Sequence, residues 1–192
     1  MDLQRPFTII TPTADGDALS VLAGADRAFT ASEVQRLAGR RSIQGIRQAL
    51  KRLEEQGIVT ATRAGNAVLF GLNRRHLGAD AIIQLASIRD ELIARLQEQL
   101  AGWDPACEYA ALFGSAATGG MRPSSDIDLL VVRADSLDPD EPSWREQLGM
   151  LTRSVAGWTG NDPQVVELSQ SAVVAQIDDP DSFLRDVERD GI

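Results

Sequence analysis

The sequence predicts an α+β fold: a helical N-terminal module closed by a hairpin, a long linking helix, and a C-terminal α/β module built on a small mixed sheet. Three observations predict it. A helix-start signature at Thr30 opens two helices that run into alternating residues, apolar residues recur at helical spacing from Ile82 to Leu100, and short apolar segments beyond them have the length of strands. A chain of 192 residues has room for two small modules, each with a core of its own. The charge divides the same way. Overall it is -9, yet from Arg27 to Arg75 ten Arg or Lys face three Glu, a balance of +7, while residues 76–192 carry eight basic and twenty-one acidic groups, a balance of -13. The total argues against a chain coated in nucleic acid, and the basic block confines any such role to the N-terminal module.

Thr30-Ala-Ser-Glu33 has the form of a capping box, in which each side chain satisfies an amide left unpaired at a helix start. The pattern breaks at Gly39-Arg40-Arg41. Ser42 then caps a second helix whose apolar positions Ile43, Ile46, Leu50 and Leu53 share one face, and Gly57 ends it. The other face presents Gln44, Arg47, Gln48, Lys51 and Arg52, long side chains suited to base edges and phosphates. Residues 58–72 alternate on both sides of an Ala-Gly-Asn turn, as a hairpin does, with Arg63 near the tip. With a first helix around Ala18 to Ala23, this stretch resembles a winged helix-turn-helix domain over about residues 14–75. The resemblance implies double-stranded DNA as partner, the helix from Ser42 in the major groove, the hairpin with Arg63 along the backbone or minor groove, and Arg40 and Arg41 among the contacts.

Between the modules, Ile82, Leu85, Leu92, Ile93, Leu96 and Leu100 predict one helix over 79–102, with a face that packs on either module or on a second copy in a homodimer. The expected boundaries are therefore 1–78, 79–102 and 103–192. His76, the only histidine, lies in a basic junction and is assigned no role. The single cysteine, Cys107, excludes an intrachain disulfide and fits a reducing compartment. No apolar run approaches the roughly 20 residues that cross a bilayer, and Met1-Asp-Leu-Gln-Arg-Pro6 lacks the layout of a secretion signal, so a cytoplasmic protein without a membrane partner is expected.

The chemistry concentrates in residues 112–132. Tyr109 to Phe113 reads as a buried strand that runs straight into Gly114-Ser115. A strand opening into a helix at such a pair offers bare amides, a small hydroxyl and the positive end of a helix dipole, a combination that holds phosphate. Asp126 and Asp128 lie one residue apart at the start of the next strand, so both carboxylates leave the same face. Two like charges that close raise one pKa unless a cation lies between them, and Mg²⁺ with the phosphates of a nucleotide meets that need.

Gly114-Ser-Ala-Ala-Thr-Gly119 followed by Ser125-Asp-Ile-Asp-Leu129 resembles the signature of the minimal nucleotidyltransferases of the polymerase-beta superfamily, usually Gly-Ser-x-Ala-Arg-Gly and then Ser-Asp-Ile-Asp-Leu. The ending Phe183 to Ile192 also resembles that family's closing helix and the start of its final strand. The resemblance implies transfer of a nucleoside monophosphate, AMP above all, from ATP or another NTP to an acceptor hydroxyl. Asp126 and Asp128 would hold one Mg²⁺ and share a second with a third carboxylate, for which Glu167 in Gln164-Val-Val-Glu-Leu168 is the candidate. Gly114, Ser115, Thr118, Arg122 and Ser125 would line the phosphate site. The acceptor implied is a protein, as for the small members that act as antitoxins on a partner toxin, or a small molecule. Thr118 stands where the family has arginine, which favours an alternative: a transcriptional regulator whose transferase domain is weak or inactive and senses nucleotide.

Overall fold

A computed structural model describes residues 1–39, 41–179 and 182–192, which divide into two compact units: residues 5–90, and residues 1–4 with 91–192. In the first, a 3-10 turn (Pro6–Ile9) precedes α1 (Ala14–Ala23), β1 (Phe29–Thr30), α2 (Ala31–Ala38), α3 (Ile43–Glu55), β2 (Val59–Ala64) and β3 (Ala67–Leu72). The strands form an antiparallel sheet in the order β1-β3-β2, which makes this unit a winged helix-turn-helix domain. The capping box is complete. Glu33 N donates to Thr30 Oγ1 at 3.2 Å, and Thr30 N donates to Glu33 Oε2 at 2.7 Å. Ser42 Oγ accepts from Gly45 N at 3.1 Å and starts α3. Inward positions Ile46, Ala49 and Leu50 bury against Leu22, Val34 and Val59, leaving the polar face of α3 in solvent. Gly65 supplies a positive φ of 60° at the hairpin tip.

The expected linking helix is two helices. α4 (Ala79–Ala86) and α5 (Ile88–Ala101) meet at Ser87, whose φ of -96° and ψ of 17° leave the helical region. Ser87 Oγ donates to Ile83 O at 3.0 Å and Gln84 O at 3.2 Å, closing α4 with its own hydroxyl. The helical period runs on across the break because the two halves serve different cores. Ala79 and Ile82 pack in the first unit's core, and Leu92 and Leu96 are buried. Of the six apolar positions from Ile82 to Leu100, Leu92 and Leu96 are buried and the other four are half-buried.

In the second unit, β4 (Tyr109–Phe113) leads into α6 (Gly114–Thr118), followed by β5 (Ile127–Arg133), α7 (Pro142–Thr159), β6 (Pro163–Ser169), α8 (Gln170–Gln176) and α9 (Leu184–Asp190). The sheet is mixed, in the order β4-β5-β6, with β4 antiparallel and β6 parallel to β5. β5 is buried along most of its length, and one face of the sheet packs Ala111, Leu130 and Val132 against Leu184 and Val187 of α9. Trp144 of α7 is fully buried and meets Trp103 edge-on, ring centroids 5.3 Å apart. After α9, Ile192 exchanges two backbone hydrogen bonds with Leu112.

Candidate functional site

β4 and β5 bring the two halves of the predicted constellation together. Phe113 is paired with Asp128, so Gly114 follows at the edge of the ladder beside that aspartate. Gly114 has a φ of 66°, and a Cβ added to it would stand 2.2 Å from Asp128 Oδ2. The backbone there is shaped around the carboxylate, and a side chain would fill the space. Asp126 is exposed and Asp128 half-buried. Desolvation first, and the neighbouring charge of Asp126 second, push the Asp128 carboxyl above the ordinary aspartate range. A cation placed at this pair would relieve both causes.

The loop between α6 and β5 is held by its own polar groups. Thr118 Oγ1 donates to Gly114 O at 3.0 Å, so the residue at the usual arginine position caps the turn it belongs to. Arg122 N donates to Ser125 Oγ at 3.0 Å and Ser125 N donates to Arg122 O at 2.9 Å, which commits the Ser125 hydroxyl to the loop. The Arg122 side chain is exposed, with no ion pair among the described residues. It is the cation in this loop.

A residue absent from the sequence reading fixes the loop from below. Asn161, buried just ahead of β6, donates through Nδ2 to Ser125 O at 2.8 Å, to Pro123 O at 3.2 Å and to Met1 O at 3.2 Å. Its amide therefore sets the backbone that delivers Asp126. An asparagine in Gly160-Asn-Asp-Pro163 reads as turn chemistry, and only the tertiary contacts reveal its reach. Asn161→Ala is expected to cost about 2 kcal/mol of stability, because it leaves buried carbonyls without a donor. Asn161→Asp is expected to be no better, since a carboxylate cannot donate; denaturant melts of both variants check this.

Glu167 does not join Asp126 and Asp128. In-register neighbours on parallel strands project to the same face, and Asp128 is in register with Gln164, whereas Glu167 is in register with Val131 on the opposite face. There Glu167 Oε1 accepts from Arg133 Nε at 2.7 Å and from Trp144 Nε1 at 3.3 Å. It ties the end of β5 to α7, a structural use that the alternation of Val165, Val166 and Leu168 around it did not distinguish from a catalytic one. Among the described residues, no group of three His, Cys, Asp or Glu is placed to hold a metal ion.

The expected DNA-facing residues separate into two kinds. Arg41 Nε donates to Asp17 Oδ2 at 2.5 Å, and Arg5 Nη2 donates to Asp17 Oδ1 at 2.8 Å, so Asp17 on α1 clasps the turn before α3. Arg52 makes a two-pronged contact with Asp15, 3.0 and 2.7 Å. Both arginines are thus paired with acids of α1, and the Arg52 side chain remains more than half exposed. Gln44, Arg47, Gln48 and Lys51 lie exposed on α3, with Lys51 3.8 Å from Glu55, and Arg63 is exposed on the hairpin; Arg47 and Arg63 have no ion pair among the described residues. Arg40 lies outside the described residues.

Residues 96–177 match the family described as Polymerase beta, Nucleotidyltransferase. No curated protein matches the chain. Among solved structures, it is similar to ZitR from Lactococcus lactis in complex with DNA, with 22% identity and a TM-score of 0.34 over 50% of this chain and 66% of that one. It is similar also to a probable transcriptional regulator from Pseudomonas aeruginosa, with 22% identity and a TM-score of 0.33 over 52% of this chain and 83% of that one. A third, the archaeal chromatin protein TrmBL2, has 13% identity and a TM-score of 0.30 over 92% of this chain and 68% of that one. A further ZitR structure is matched over 57% of its length, so the chain spans under two thirds of both ZitR chains.

Proposed function

Because residues 96–177 carry a polymerase-beta nucleotidyltransferase domain, we propose that this unit binds a nucleoside triphosphate as its Mg²⁺ complex, and that the winged helix-turn-helix unit binds double-stranded DNA. The observation that carries the first half is the fit of Gly114 to Asp128, with a Cβ excluded at 2.2 Å, beside the neighbouring charge of Asp126. Asp126 and Asp128 would hold the ion, which when bound neutralises the triphosphate and the carboxylate pair together. The amides of Gly114 and Ser115 receive phosphate oxygens, and Arg122 adds a positive charge from the loop. Thr118 and Ser125 act by holding that loop. The nucleotide reading is tested by a thermal shift of the full chain. The melting midpoint is expected to rise with Mg²⁺ and ATP together and to stay unchanged with ATP in EDTA, since only a ligand of the native state stabilises it. An equal shift in EDTA would contradict it.

Transfer of AMP to a hydroxyl of a protein or small molecule is the second reading. The intact pair Asp126 and Asp128 favours it, and the position of Glu167 opposes it.

The exposed polar face of α3 and Arg63 on the hairpin support the DNA half. Arg47→Ala and Arg63→Ala are each expected to weaken retention of duplex DNA similarly across sequences and to reduce the salt slope of binding by about one. Arg41→Ala and Arg52→Ala act through stability instead. Fluorescence anisotropy at several salt concentrations, with melting curves for each variant, separates the two groups.

A further inference from the structure

The outermost line of α3 is built of neutral amides. Opposite the buried positions Ile46, Ala49 and Leu50, the helical period sets Gln44 and Gln48 one turn apart, pointing most directly away from the core. Arg47 lies to one side of them and, with Lys51, lines a cavity against Asn66 and Val68 of the hairpin. Arg52 lies to the other side, engaged by Asp15 of α1. Both glutamines are exposed, and neither side-chain amide has a hydrogen bond among the described residues, whereas Gln35 on α2 commits its amide to Arg41 O at 3.0 Å. The acids of α3, Glu54 and Glu55, lie at its C-terminal end. They repel phosphate there, which leaves the turns that carry Gln44 and Gln48 as the part of the helix that can approach a duplex closely.

We infer that Gln44 and Gln48 read adenine, so that this unit selects duplexes with two adenines close together in the major groove. The inference rests on the DNA reading above. A glutamine amide places an acceptor oxygen beside a donor nitrogen. In the major groove only adenine offers the complement on a single base, the N6 donor beside the N7 acceptor, whereas guanine offers two acceptors and leaves the amide oxygen without a partner. The two amides are about 6 Å apart along the helix axis, under two base-pair rises of about 3.4 Å, so their adenines fall on neighbouring or next-neighbouring pairs, on either strand. Arg47, on the hairpin side, is left to the phosphates, which position the helix without reading sequence.

The test selects duplexes from a randomised pool with the full chain and sequences those retained. Adenine is expected at two positions no more than two base pairs apart. Gln44→Ala and Gln48→Ala, both at exposed positions, are each expected to erase the preference at one of the two and keep it at the other. Replacing the selected adenine by 7-deazaadenine removes only N7, and is expected to weaken the wild type on the order of 10-fold at either position. The variant that has lost the matching glutamine should be insensitive to that replacement. A retained pool without paired adenines, a preference that survives both substitutions, or full affinity of the wild type for the 7-deazaadenine duplexes would overturn the inference and leave DNA binding standing. No salt-dependent retention of any duplex would overturn the DNA reading itself.

Discussion

Gly114→Ala is expected to lower affinity for Mg²⁺-ATP on the order of 100-fold, the equivalent of about 3 kcal/mol. Two effects add. A φ of 66° is a conformation that an L side chain adopts only at a cost of about 1–2 kcal/mol. The new methyl would also meet Asp128 Oδ2 at 2.2 Å, well inside contact distance, so either the carboxylate or the strand end must move. The displaced group is the proposed metal ligand, and the loss therefore shows in ligand affinity more than in unfolding. Calorimetric titration of nucleotide, with a melting curve of the same variant, checks this: a modest fall in midpoint with a large fall in affinity is the expected pair. A variant that binds as tightly as the wild type would place the nucleotide elsewhere.

Asp17→Ala is expected to destabilise the winged helix-turn-helix unit by roughly 2–3 kcal/mol. Its side chain is only 8% exposed and receives both Arg5 and Arg41, so truncation leaves two guanidinium groups facing a vacated, poorly solvated position. Both arginines are partly open to solvent, which keeps the cost below that of a fully buried pair. The midpoint of the unit should fall on the order of 10 °C. Amide exchange in the full chain would show lost protection in α1 and at the start of α3, and DNA retention would fall with the folded fraction. Unchanged exchange would mean that the clasp contributes little.

The parts of the fold that were legible in the sequence are those fixed by local chemistry. The capping box at Thr30, the cap at Ser42 and the hairpin turn at Gly65 each satisfy backbone groups within a few residues, and each appears where the residues placed it. Gly114 beside Asp128 was foreshadowed in the same way, by a strand that ends at a glycine and a second that begins with paired acids. The third side of the site was not legible. Whether Gln164 or Glu167 faces Asp128 depends on the register of β5 against β6, and a shift of one residue would exchange the two faces. Both residues sit among apolar neighbours, so composition could not choose between them. The break at Ser87 was hidden for a related reason, since the helical period continues through it while the burial partners change. Asn161 was hidden because its partners, Pro123 and Ser125, are separated from it by α7 and the whole of β5.

In the proposed site, Asp126 and Asp128 together hold a metal-bound triphosphate. Isothermal titration of the full chain with ATP, in Mg²⁺ and in EDTA, tests it when repeated on Asp126→Ala and Asp128→Ala. Saturable binding that requires Mg²⁺ and is lost in both variants, with their melting curves intact, is the predicted result; binding that persists in either variant, or that ignores the metal, would contradict it.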